Sequence, residues 1–150
     1  MSILRSFLAV VGGLTVGMLA IMAVQGVSMA IYPMPDGLSM DDRPALLEWM
    51  RSLTVGAFLL VLGSYVAGAS VGGAFSALVA STHRVLHAGV IGMFVLLGTI
   101  ANFLEFPEVH PNWMVITSCA QPIPVSLAAG WLIARLRRGH DVAEAPSNGS

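Results

Sequence analysis

His83 and His87 stand four residues apart, the spacing at which one continuous helix aligns two imidazoles for a metal ion. No third ligand is near in sequence, and Ser81-Thr82-His83-Arg84 reads as a turn that interrupts the helix, so the pair reads instead as histidines near lipid headgroups. A second set, Asp36, Asp41, Asp42, Glu48, Glu105 and Glu108 with His110, has the oxygens that a divalent cation takes, but hard-cation sites need several of them to converge. Divided over two stretches, these acids specify no site, and no metal or cofactor is assigned. The third set is uncharged: Gln25, Tyr65, Thr99, Asn102 and Gln121, accompanied by Thr117 and Ser118. Amides and hydroxyls donate and accept hydrogen bonds, which is the chemistry of recognition.

The elements that carry these residues are apolar. Of 150 residues 56% are hydrophobic and only 10% charged, with a mean hydropathy of +0.81, far beyond an ordinary soluble domain. About 20 apolar residues cross a ~30 Å hydrocarbon layer as a helix. Four stretches qualify, at about 6–32, 53–80, 86–106 and 113–134, and the expected fold is an all-α membrane protein, a four-helix antiparallel bundle. Tyr32-Pro33-Met34-Pro35 ends the first span, because each proline lacks an amide donor and pushes its predecessor out of the α region. Between spans one and two, Asp42 as cap, Pro44 in the first turn and Leu46, Met50 and Leu53 on one side predict a short amphipathic helix to Arg51. Trp49 places that helix at the interface, as a lid or as a connector resting on headgroups. Gln121-Pro122-Ile123-Pro124 predicts a kink inside the fourth span. The polar residues 139–150 read as a disordered tail following a single transmembrane domain, 1–138.

Within the second span, Gly56, Leu60, Gly63, Ala67, Ser70, Ala74 and Ala77 recur at four-then-three spacing and form a nearly side-chain-free stripe, with a second small row at Gly68, Gly72 and Ser76. Small residues let backbones approach closely in lipid, so this span is expected at the centre, with Gly56, Gly63, Ala67, Ser70 and Ala74 as helix-packing positions. Gly13 and Gly17 give the first span a helix-packing face of its own. That span has a rival reading as a secretory signal, since Arg5 precedes the apolar run and Ser28-Met29-Ala30 has the form of a cleavage site; the run Phe7–Val24 exceeds a usual signal core.

All seven basic residues are arginines. Arg5, Arg84, Arg135, Arg137 and Arg138 fall on one side of the four spans and Arg43 and Arg51 on the other, so the positive-inside rule puts both termini in the cytoplasm of a bacterial inner-membrane protein. With a formal charge of -1 there is no basic face to follow a nucleic-acid backbone. The expected partners are lipid, other membrane proteins or a second copy. Cys119 lies in an apolar segment and has no partner for an intrachain disulfide.

In this orientation Gln25, Tyr65, Thr99, Asn102 and Gln121 gather in the outer half of the bundle, where they either bond to each other as interhelical glue or line a small wet cavity. A proton-coupled exporter needs an ionisable group deep in the membrane, and Gln25 cannot titrate. A haem carrier needs histidines at matching depth on two helices, whereas His83 and His87 lie inside and His110 outside. No phosphate loop, zinc-protease helix or serine elbow occurs.

Tyr32-Pro33-Met34-Pro35, the glycine-rich Val66–Ala80, His87 opening the third span and His110-Pro111-Asn112-Trp113 opening the fourth resemble a group of small, uncharacterised bacterial integral membrane proteins with four spans. Their acidic and histidine residues seven and three positions before the Tyr-Pro correspond to Gln25 and Met29 here. The resemblance implies a fold and no activity, so no catalytic residue is carried over. The resulting expectation is a non-enzymatic accessory or scaffold component of a membrane complex; the alternative is a small solute carrier or channel built on the outer polar cluster.

Overall fold

The computed structural model describes residues 2–143 and is helical, with no strand among the described residues. Six helices follow in order: α1 (Ser2–Ile31), α2 (Arg43–Ser52), α3 (Val55–Val79), α4 (Arg84–Glu105), α5 (Asn112–Ala120) and α6 (Pro122–Ala143). Four stretches, Ile3–Ile31, Val55–Val79, Arg84–Glu105 and Asn112–Arg138, are long and apolar enough to cross a membrane. The last runs through both α5 and α6, which break at Gln121 where Pro122 has no amide to offer. The chain thus has the character of a multi-pass membrane protein. Helix α6 continues past Gly139 to Ala143, so the helical backbone reaches five residues into the stretch expected to be a tail. The remainder of that stretch, 144–150, lies outside the described residues.

Helix α2 forms as its sequence predicts. The Asp42 carboxylate accepts a hydrogen bond from the Ala45 amide at 3.2 Å, Pro44 occupies the first turn, and Leu46 is buried. Arg43 ties this helix to the chain between α4 and α5: it donates to the Glu105 carbonyl at 2.9 Å, lies 3.9 Å from the Glu108 carboxylate, and sits 5.3 Å from the centre of the Phe106 ring.

Helix α3 makes the most extensive packing in the molecule, above all with α1. The close approach uses the second small row. A β-carbon built on Gly13 would lie 2.8 Å from Ser76 Cβ and 2.9 Å from the Gly72 carbonyl oxygen, and one on Gly17 would lie 2.9 Å from the Gly68 carbonyl oxygen. Two glycine rows face each other here, so the two backbones nearly touch. Gly63, by contrast, is exposed and has nothing within 4 Å of a built β-carbon. Ala67, Ser70 and Ala74 are half-buried, and the Ser70 hydroxyl is turned back onto the Val66 and Ala67 carbonyls. Gly56 is a packing position, since a β-carbon there would clash with the Tyr32 hydroxyl, but the rest of the stripe, Gly63, Ala67, Ser70 and Ala74, is not where the α1 backbone closes in. It lacks what the other row has, a facing row of glycines on the partner helix.

Ser126 joins α3, α4 and α6. Its hydroxyl donates to the Ala88 carbonyl, a β-carbon on Gly73 would clash with its hydroxyl and carbonyl oxygens, and one on Gly92 would clash with its Cβ and with the Pro122 and Ile123 main chain. No Cα of α1 comes within 8 Å of one in α6.

Candidate functional site

The end of the molecule that carries α2 holds a cavity of about 220 Å³. The last turns of α1 supply Gln25 and Ser28, with Tyr32 just beyond its end; α3 supplies Phe58, Val61 and Tyr65; α4 supplies Asn102; and His110 and Met114 enter from the loop and from α5. Trp49 and Met50 of α2 cover it. The Tyr32 hydroxyl accepts a hydrogen bond from Thr54 Oγ1 at 3.2 Å, which ties the end of α1 to the start of α3. His110 is held by its Nδ1, 2.8 Å from the Phe106 carbonyl oxygen, and packs edge-on against Phe103 at 4.7 Å between ring centres.

A second cavity, of about 400 Å³, runs between α1 and α4 and shares Gln25, Tyr65 and Asn102 with the first. Its other walls are apolar except for Thr99: Leu14, Met18 and Ile21 on α1, and Ile91, Phe94 and Val95 on α4. Met18 and Phe94 are 59% and 50% exposed, which leaves the space between them open on the side away from α3. Tyr65 is buried and lies about 15 Å along α3 from Val55, on a rise of ~1.5 Å per residue, so the shared polar groups reach deep into the apolar layer.

Of the five residues singled out from sequence, Gln25, Tyr65, Thr99 and Asn102 come to these cavities. Thr99 is internally satisfied, donating to the Val95 carbonyl at 2.8 Å. Gln121 does not join them: its amide donates to the Leu62 carbonyl at 3.1 Å and pins the α5–α6 break to α3. Thr117 bonds back to the Trp113 carbonyl, and the Ser118 hydroxyl is buried without a partner. The side chains of Gln25, Tyr65 and Asn102 make no hydrogen bond among the described residues. Tyr32, Trp49 and His110 belong to the site as well, and their chemistry alone did not mark them. The Pro33–Pro35 break and the amphipathic pattern of α2 were the signals that place them there.

The remaining candidates do not assemble. Among the described residues no group of three or more His, Cys, Asp or Glu is arranged to hold a metal ion. His83 has left-handed backbone (φ 49°) ahead of α4, and His87 Nδ1 lies 3.1 Å from the His83 carbonyl oxygen, so the two imidazoles do not share one helical face. No family model, curated protein or solved structure matches this chain.

Proposed function

We propose that this chain is a non-enzymatic protein of the bacterial inner membrane, a four-helix antiparallel bundle with both termini cytoplasmic and α2 lying on the outer membrane surface, and that its α2-end cavity takes up a small uncharged amphiphile. One observation carries the reading: three hydrogen-bonding side chains from three helices, Gln25, Tyr65 and Asn102, meet at one space without partners in the protein. An unpaired amide in an apolar layer costs several kcal/mol at most and ~1 at least, a penalty that a bound polar group or water removes. Among the described residues no carboxylate or arginine lines either cavity, which favours a neutral head over a charged one. The apolar walls between Met18 and Phe94 fit the tail of such a molecule, admitted sideways from the lipid.

A role as accessory subunit is favoured by a different feature, an apolar groove of about 430 Å³ where Ser70 and Ala74 of α3 lie between Val16 of α1 and Leu132 of α6. The two readings separate by native mass spectrometry of protein released from mild detergent. Uptake of an amphiphile requires a stoichiometric small neutral adduct on the wild type that is lost from Gln25→Leu/Asn102→Leu. Absence of any adduct, together with co-purification of a larger membrane complex, would leave the accessory role.

Orientation is tested with single cysteines at Ser39 and Ser147 in a Cys119→Ser background, using a membrane-impermeant thiol reagent on intact cells. Position 39 is expected to label and position 147 only after the cells are opened, because arginine-bearing short loops resist translocation. Labelling at both in intact cells would indicate an even number of spans between residues 39 and 147 and would contradict the four-span reading.

A further inference from the structure

At the end opposite α2, a cavity of about 490 Å³ is lined by Arg84 at the start of α4 and by Arg137 and Arg138 on α6, together with Ser81, Thr82 and His83 of the α3–α4 turn. We infer that this cavity is an anionic-lipid site, which holds the phosphate of a phospholipid headgroup between α4 and α6. Three arginines from two helices line one space, and among the described residues no carboxylate lines it. The ion pair of Arg43 with Glu108 is at the other end of the molecule. Like charges brought together repel, and an anion between them turns that repulsion into attraction.

Orientation by the positive-inside rule needs arginines on this side but does not need them to converge on a cavity. Arg84 and Arg137 are half-buried, and Arg138 makes one long contact, 3.5 Å, to the Ala134 carbonyl of its own helix. The main chain adds donors. No side chain caps α4, whose first residues Arg84, Val85 and Leu86 all line the cavity, and unsatisfied amides at a helix start favour an anion. The Ser81 hydroxyl is buried without a partner, and Ser81 lines the same cavity. His83, in left-handed backbone just ahead of α4, lines the cavity too.

A soluble phosphate has the same headgroup chemistry, but the surroundings favour a lipid. Leu86 lines the cavity and is 65% exposed, so a molecule seated on the arginines has an apolar flank beside it for acyl chains.

The test uses the full chain in bilayer nanodiscs of phosphatidylcholine containing a minor fraction of phosphatidylglycerol, with the retained lipids counted by native mass spectrometry. Wild type should enrich phosphatidylglycerol over phosphatidylcholine, and each of Arg84→Gln, Arg137→Gln and Arg138→Gln should lower that enrichment roughly fivefold. Arg51→Gln, at the opposite end, should leave it unchanged, and the Arg→Lys set at 84, 137 and 138 should retain most of it because the charge is kept. Absence of enrichment in the wild type, or equal enrichment in the glutamine variants, overturns the site. Displacement of phosphatidylglycerol by millimolar inorganic phosphate would overturn the lipid source and assign the cavity to a free anion.

Discussion

Against α3, helix α1 presents Gly13 and Gly17, and the backbones come so close that a single added β-carbon on Gly72 would lie 2.6 Å from the Gly13 carbonyl oxygen. Against α4, the same helix presents Leu14, Met18 and Gln25, and about 400 Å³ of space remains. Both partners are apolar helices, so hydrophobicity does not explain the difference. In lipid there is no hydrophobic drive between helices, and packing alone decides where they close. Small residues on both partners close the α1–α3 seam. On the α4 side, Gly98 has nothing within 4 Å of a built β-carbon, because no glycine row on α1 answers it. The open side then collects the amides that a closed seam would exclude.

The largest effect expected from breaking this contrast is at the seam. Gly72→Leu would drive a side chain into the Gly13 carbonyl and Ile91, and should cost about 3 kcal/mol or more, read as early melting or aggregation of the detergent-solubilised protein. Wild-type melting would mean that α1 does not close on α3.

A smaller effect is expected on the open side. Gln25 and Asn102 are exposed and bond to nothing in the protein, so Gln25→Leu/Asn102→Leu breaks no hydrogen bond and should not lower stability in the same melting assay, the change staying within about 1 kcal/mol. Destabilisation would show that these amides are bonded within the protein.

The smallest effect is expected at Gly63→Leu. Gly63 has open space around it, so the change should stay within about 0.5 kcal/mol of wild type in that assay. A loss comparable to that at Gly72 would show that the outer stripe is covered by a second chain.

The four spans and α2 were legible because charge-free length, proline punctuation and the Asp42 cap act locally on the chain. The choice between two small rows on α3 was not. Both have helical spacing, and only the position of Gly13 and Gly17 on another helix decides between them. The polar cluster was legible in part for the same reason. Gln25 and Asn102 sit towards the C-terminal ends of α1 and α4, the first and third spans, which lie at one end of the molecule, whereas Gln121 lies at the Pro122 break, where its amide donates to the Leu62 carbonyl instead. Helix α6 outran its expected end because Arg135–Arg138 mark where an apolar span stops, not where a helix must.

Helix α1 has one sealed face and one open one, and two single cysteines distinguish them. In a Cys119→Ser background reconstituted in bilayers, Gln25→Cys and Ala9→Cys are treated with a small water-soluble thiol reagent. Ala9 is fully buried and Gln25 is exposed into the cavities. Thiols react as thiolates and therefore need water. Position 25 should label readily and position 9 should not. A protected cysteine at 25, or equal labelling at both, would contradict an open polar cavity between α1 and α4.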